Sequence, residues 1–230
     1  MSLKEDLDAK VKEIFSEQWK ERDGQVVPSS EDLKLSNDAV KLDAVVLYAD
    51  MSESTKLVDS RKAFFAAEIY KAYLYCAAKI IRSDGGEITA YDGDRIMAVF
   101  IGNSKNTSAA KAALKINYAR IKIINPAIKK QYENEKYEVK HTIGIDSSKL
   151  FIARTGIRGS NDLVWVGRAA NHAAKLCELT NSYPTRITED VYDCLNESAK
   201  YSNGESMWEK VTWNAMKRII YRSTWWWSVS

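Results

Sequence analysis

"ITAYDGDRIMAVF", Ile88 to Phe100, decides the fold. Two apolar, strand-like segments meet at Asp92-Gly93-Asp94, which is hairpin punctuation. The turn concentrates acid, and the residue four before Asp94 is the small Ala90. Working outward, "AVVLYAD" (Ala44–Asp50) is a continuous apolar run of strand length that also closes on an acid. Between these two pieces the pattern is helical from Thr55 to Arg82, with Phe65, Ile69, Tyr73, Cys76 and Ile80 on one stripe. Ser83-Asp84-Gly85-Gly86 stops that helix.

Beyond the hairpin, a helix is predicted from about Thr107 to Ile124, ended by Asn125-Pro126. "YEVKHTIGID" then alternates Val139, His141, Ile143 and Ile145 against Lys140, Thr142, Gly144 and Asp146, the pattern of a half-buried strand. "KLFIARTG" continues it in hairpin fashion, "LVWVG" is a further strand, and Arg168 to Leu179 reads as a helix. Short strands are expected at Thr185–Thr188, Met207–Trp213 and Arg218–Trp226. The order strand, helix, hairpin, helix, hairpin predicts an α+β fold, a ferredoxin-like βαββαβ core with additional strands.

The chain opens differently. Leu3, Leu7, Val11, Ile14, Phe15 and Trp19 recur at helical spacing amid charge, so residues 1–36 read as an amphipathic helix and a connection. Residues 37–230 read as one catalytic-sized domain, with the helix packing on that domain or on a second copy. A net charge of +3, spread rather than blocked, argues against a nucleic-acid footprint. No apolar run approaches the ~20 residues of a membrane span, and a signal-peptide core is absent, so a cytoplasmic protein is expected. Three scattered cysteines suggest free thiols, and His141 and His172 share no ligand spacing and read as packing residues.

The acids carry the chemistry. In this topology the first strand neighbours the hairpin, so Asp50 and Asp94 converge, and paired carboxylates are relieved by a divalent cation. Either acid alone has an ordinary role, as helix cap or turn residue. "MSESTK" after Asp50 leads into a helix whose first amides can cradle phosphate. On the helix after "LVWVG", Asn171 and Lys175 are four apart and share a face, an amide and a cation suited to charge on a phosphoryl group.

Together these segments resemble the catalytic domain of class III nucleotidyl cyclases, the adenylate and guanylate cyclase family. "VVLYADMSEST" resembles the first metal-binding strand and phosphate loop, "GGEITAYDGDRIMAVF" the second metal-binding hairpin, "VKHTIGIDSSKLFIARTG" the next hairpin and "VWVGRAANHAAKL" the transition-state helix. The resemblance implies that Asp50 and Asp94, with the Met51 carbonyl, hold two Mg²⁺ or Mn²⁺ ions, and that amides of Met51, Ser52, Glu53, Ser54 and Thr55 hold the triphosphate. It implies a homodimer with composite sites, in which Asn171 comes from the partner. Lys175 stands where the family has an arginine, which keeps charge and loses the planar fork. The family's strand arginine, expected near Thr142, is missing, and Lys140 on the same strand face is its substitute.

Purine cyclases carry Lys or Glu four before the second metal Asp, and a polar partner seven before the transition-state Asn. Here those positions are Ala90 and Val164, which cannot hydrogen-bond a purine edge. With "LVWVGRAANHAAKL" and "YRSTWWW", the chain is similar to the pyrimidine cyclases of the Pycsar antiphage system. That similarity implies conversion of UTP, or CTP, to a cyclic monophosphate that activates a separate effector, without membrane or nucleic-acid partners. Trp165, Arg168 and Tyr91 are candidates by position for reading the base. A purine cyclase and an inactive nucleotide-binding cyclase fold remain the alternatives.

Overall fold

The computed structural model describes residues 2–229, which divide into two compact units. Of these, the larger comprises residues 44–148 and 168–229, the smaller residues 2–43 and 149–167.

In the smaller unit, helix α1 (Leu3–Ser16) starts with a capping box in which Ser2 and Glu5 satisfy each other's backbone amides. Strand β1 (Lys20–Asp23) pairs in parallel with the first residues of β2 (Asp38–Ser52). The unit's share of β5 (Lys140–Ile157) pairs antiparallel with β6 (Ser160–Val166). Asn37 holds the end of α1 by donating its amide to the Ile14 and Glu17 carbonyls, and Trp19 packs edge-on to Phe151. The predicted helix is present, yet its apolar stripe is uncovered: Leu7 is 54% and Phe15 86% exposed, and no residue of α1 is buried. β1 went unpredicted because all four of its residues are polar and exposed.

The larger unit holds the expected core. After β2 come α2 (Ser54–Ser60), α3 (Ala63–Ser83), β3 (Glu87–Asp92), β4 (Arg95–Phe100) and α4 (Lys105–Ala119). A π-helical turn, Arg120–Ile124, leads into α5 (Asn125–Gln131), and β5 follows. Then come α6 (Arg168–Cys177), β7 (Thr185–Thr188), α7 (Glu189–Asp193), α8 (Glu197–Lys200), the small hairpin β8 (Tyr201–Ser202) and β9 (Glu205–Ser206), β10 (Glu209–Trp213) and β11 (Arg218–Ser223). The sheet order is β10-β11-β7-β5-β2-β4-β3. Its β5-β2-β4-β3 portion, with α3 and α4 on one face, is the ferredoxin-like arrangement that the hairpin at Asp92–Asp94 predicts.

Four expectations need correction. The hairpin expected between "YEVKHTIGID" and "KLFIARTG" is one continuous strand, β5, and the chain reverses only afterwards, between β5 and β6. The helix predicted from Thr55 to Arg82 is two helices, broken where Arg61 and Lys62 adopt extended backbone. The helix predicted to stop at Asn125-Pro126 continues to Gln131, because the π turn lets Pro126 enter the first turn of a new helix, where no donor is needed. The strand predicted to reach Trp226 ends at Ser223. The next four residues, Thr224 to Trp227, are irregular: Trp225 and Trp227 pack on the core while Trp226 turns to Tyr118 and Lys122.

The two sheet faces differ. Val45, Leu47, Ala49 and Met51 of β2, Ile96, Ala98 and Phe100 of β4, and Ile143 and Ile145 of β5 face α3 and α4 in the main core. The opposite face carries Tyr48 and Asp50 of β2, Arg95 and Met97 of β4, and Thr142, Gly144 and Asp146 of β5. β5 was expected to be half-buried, but Thr142 and Asp146 are as buried as Ile143. Helix α6 covers that second face, with Leu176 packed against Trp213 and Ile220. All three cysteines are free: Cys177 is buried, Cys76 half-buried and Cys194 exposed. Both histidines are buried, as expected of packing residues. No helix among the described residues is long and apolar enough to cross a membrane.

Candidate functional site

The site is built at the ends of β2 and of the β3–β4 hairpin. Asp50 pairs with Arg95 across the ladder, and Arg95 also pairs with Asp92, so the three residues stand in one row. A two-residue turn, Gly93-Asp94, joins the strands, with Gly93 at φ +61°, the conformation that hairpin turns draw from glycine. The two acids of the turn then separate. Asp92 is exposed and accepts a hydrogen bond from Arg95 Nη2 at 2.9 Å. Asp94 is half-buried, and its Oδ2 atom is enclosed without a hydrogen-bond partner among the described residues.

Asp94 acts on Asp50. Burial, and then the Asp94 charge, push the Asp50 carboxyl up to about 6, with Arg95 offsetting part of the shift. A half-buried carboxylate pair with an unpartnered oxygen is an incomplete cation site, in which the cation would remove the repulsion. No group of three or more His, Cys, Asp or Glu side chains suited to a metal occurs among the described residues. The remaining ligands must come from backbone carbonyls such as Met51, water and the substrate, which is how Mg²⁺ is commonly held. The residues present therefore fit a substrate-assisted divalent site.

The backbone turns sharply beside it. Glu53, between β2 and α2, lies in the left-handed region at φ +63° and precedes the first turn of α2. Leu57 N–H is the first amide to bond back, to the Glu53 carbonyl at 3.1 Å, so those of Ser54, Thr55 and Lys56 point out of the helix end. The Glu53 carboxylate is held by Asn181 and Lys140, at 3.2 and 3.3 Å, and those hydrogen bonds lower its pKa. Lys140, expected from the sequence to stand in for the missing strand arginine, thus reaches the loop expected to carry phosphate. Ser52 Oγ lies 3.3 Å from Thr142 Oγ1, tying the end of β2 to β5.

Ala90 reaches the site through an irregularity. The β3–β4 register shifts between Ile88, opposite Ala98, and Ala90, opposite Met97, so Thr89 is an extra residue. Regular alternation would place Ala90 on the same face as Ile88, which packs on the main core. The bulge re-aims Ala90 onto the face of Met97. Tyr48 is the other cross-strand neighbour of Met97, and the Arg95 guanidinium lies over its ring, 5.3 Å from the centroid. Sequence reasoning passed over Tyr48 and Arg95. Their signal was the period-2 spacing from Asp50 and Met97.

Asn171 and Lys175 lie on the exposed face of α6, and among the described residues neither side chain forms a hydrogen bond or ion pair. The sheet-facing side, Ala169, Ala170, His172, Ala173 and Leu176, is buried. The structure thus gathers Asp50, Asp94, Met51, Ser52, Glu53, Ser54, Thr55 and Ala90 at one sheet end and leaves Asn171 and Lys175 facing outward. Val164 and Trp165 lie on β6 in the smaller unit, where Val164 lines a groove with Ile14 and Trp19. Tyr91 is exposed on β3. Arg168 is bound to Asp146.

No family model matches the chain. Among curated proteins it is 53% identical over 231 residues to a uridylate cyclase of Xanthomonas perforans and 54% identical over 231 residues to one of Burkholderia cepacia, in both cases covering 100% of each chain. Among solved structures, the adenylyl cyclase CyaB of P. aeruginosa superposes with a TM-score of 0.68 at 17% identity, over 81% of this chain and 95% of that one.

Proposed function

Because the chain belongs to the uridylate cyclase family within the class III nucleotidyl cyclase fold, we propose that it converts UTP, ahead of CTP, to the 3′,5′-cyclic monophosphate and pyrophosphate. The observation that carries this reading is the Asp50–Asp94 pair with its unpartnered oxygen, at the strand ends where the family resemblance requires it.

In this reading Asp50, Asp94 and the Met51 carbonyl hold two Mg²⁺ or Mn²⁺ ions, which when bound supply Lewis acidity at the ribose 3′-hydroxyl and the phosphates. The outward amides at the start of α2 bind the triphosphate, and Lys140 adds a positive charge beside them. Asn171 orients the ribose, and Lys175 stabilises charge on the α-phosphoryl group as the 3′-oxygen attacks and pyrophosphate leaves. Their outward placement on α6 supports their donation to a second copy in a homodimer with composite sites. The cyclic product then acts on a separate effector in antiphage defence, as the Pycsar resemblance implies.

The Tyr48–Met97–Ala90 row supports the base preference. Neither Ala90 nor Met97 offers a purine-reading hydrogen bond, and the Tyr48 ring, stacked under Arg95, fills space beside them. A small base suits that wall better than a bicyclic one. Tyr48→Ala is expected to lower the UTP-over-ATP ratio of kcat/KM by about tenfold or more, the scale of one pocket contact; an unchanged ratio removes Tyr48 from base selection. The test of the whole reading is incubation of purified protein with Mn²⁺ and each of ATP, GTP, CTP and UTP, with products identified by mass spectrometry. Cyclic UMP as the main product is the expected result, and a purine product would overturn the base assignment.

A further inference from the structure

One carboxylate is buried more deeply than Asp50 or Asp94. Asp146, on β5, is 0% exposed. Arg168, the first residue of α6, donates to it from Nε at 3.1 Å and Nη2 at 3.4 Å, and Thr188 Oγ1 donates at 2.6 Å. The same guanidinium donates to the Ser147 carbonyl at 2.5 Å and pairs with Asp190 at 2.5 Å. One arginine therefore joins the start of α6 to β5 and α7. His172, one turn on, brings Nδ1 to 3.3 Å from Asp146 and its ring edge-on to Trp213.

Stability does not account for this arrangement. A buried ion pair returns roughly what its desolvation costs, and apolar groups of similar shape often serve as well. What apolar packing supplies only loosely at the start of α6 is registry. The first turns of α6 lay Ala169, Ala170 and Ala173 on the sheet, small side chains that by themselves set its rotation loosely, while Leu176 and the close approach of Gly144 to Ala173 hold its far end. A two-pronged guanidinium–carboxylate contact at the near end fixes that rotation. The need is quantitative: side-chain tips lie about 5–6 Å from a helix axis, so a rotation of about 20° carries them about 2 Å. A displacement of about 1 Å can cost a hundredfold in rate.

We propose that Asp146 and Arg168 are positioning residues that set the rotation of α6, and through it the placement of Asn171 and Lys175 for the reaction. The proposal rests on the cyclase reading above. Its test compares full-length Asp146→Asn, Arg168→Lys and the double variant by amide hydrogen exchange and by steady-state kinetics with UTP and Mn²⁺. In Asp146→Asn, exchange over residues 168–177 is expected to rise at least about tenfold with α3 and α4 unchanged, since the helix end loses its anchor. kcat should fall about 30- to 300-fold with KM within about threefold. Arg168→Lys should show a smaller loss, and the double variant should be no worse than Asp146→Asn alone, because the two residues act as one device.

Unchanged exchange over α6, or a loosening spread evenly over the chain, would overturn the clamp. A loosened α6 with kcat unchanged would overturn its role in positioning. Should Asp146→Asn fail to fold, Arg168→Lys carries both readouts, its side chain being only partly enclosed. A wild-type protein that makes no product from any nucleoside triphosphate sinks the cyclase reading, whereas the exchange data judge the clamp without reference to turnover.

Discussion

Asp50→Asn is expected to abolish product formation, by at least about a thousandfold, while making the metal-free protein more stable. The first effect follows from the loss of one of the two carboxylates, Asp50 and Asp94, proposed to hold the divalent cation, since a neutral amide is a weak ligand for it. The second follows from linkage. The Asp50 carboxyl is raised from 3.8 to about 6 in the folded chain. Below about pH 4 it is protonated in both folded and unfolded states and costs nothing. As pH rises towards 6 the unfolded chain releases this proton more readily, so folding stability falls, and above 6 the penalty is complete. Asparagine has no such penalty, so at pH 7.5 in chelator it should be more stable by on the order of 1–3 kcal/mol. Melting in EDTA at pH 4 and pH 7.5 checks this: the gap should be small at the first and open at the second. Added Mn²⁺ should raise the wild-type midpoint and leave the variant unmoved. A variant less stable than wild type at pH 7.5 would refute the strained-carboxylate account.

Gly144→Val is expected to cost more stability than any surface change and to remove activity with it. A β-carbon at Gly144 would lie 2.1 Å from the Ala173 carbonyl oxygen and 2.7 Å from Leu176 Cβ. The first obstacle is helix backbone, so α6 must lift as a body or the strand must bend. Overpacking of a well-filled core typically costs about 1–3 kcal/mol, and an immovable backbone places this case at or above that range. Either escape displaces Asn171 and Lys175. Gly144→Ala should show a weaker form of the same defect. Thermal melting together with product yield separates the contributions, because Gly144→Ala protein held well below its midpoint should still be slow. Full activity in folded Gly144→Ala protein would show that α6 need not lie so close.

Much of this was legible in the residues, and the pattern of success has a physical cause. The hairpin at Asp92–Asp94 and the run ending at Asp50 are local signals, in which period-2 apolar spacing and turn chemistry act over a few residues. They sufficed for the β5-β2-β4-β3 arrangement and for the meeting of Asp50 with Asp94. What stayed hidden depends on neighbours distant in sequence. The polar face of β5 looked solvent-facing, yet α6 lies over Gly144, Thr142 meets Ser52 of β2, and Asp146 is bonded by Arg168 and Thr188. Arg168 looked like a base-reading candidate because its buried acceptor is 22 residues away in sequence. Pro126 looked like a helix stop because a π turn, which shifts the hydrogen-bond register by one residue, has no local sequence signature. The exposed strand β1 has no apolar pattern and is held by pairing with β2 and by the Arg22 contacts to Asp38 and the Asp32 carbonyl.

The extra residue at Thr89 has an evolutionary consequence. In an unbroken ladder, changing what faces a pocket requires exchanging one amino acid for another. In a bulge, two residues compete for one place, here Thr89 and Ala90 opposite Met97. Loss of the Thr89 codon leaves a methyl group there; loss of the Ala90 codon leaves a hydroxyl-bearing side chain. Where Ala90 lines the base pocket, as proposed, a three-nucleotide deletion can therefore switch the wall between mute and hydrogen-bonding. On the outermost strand of this sheet such a change disturbs a single neighbour, which makes chain length a heritable setting of substrate choice.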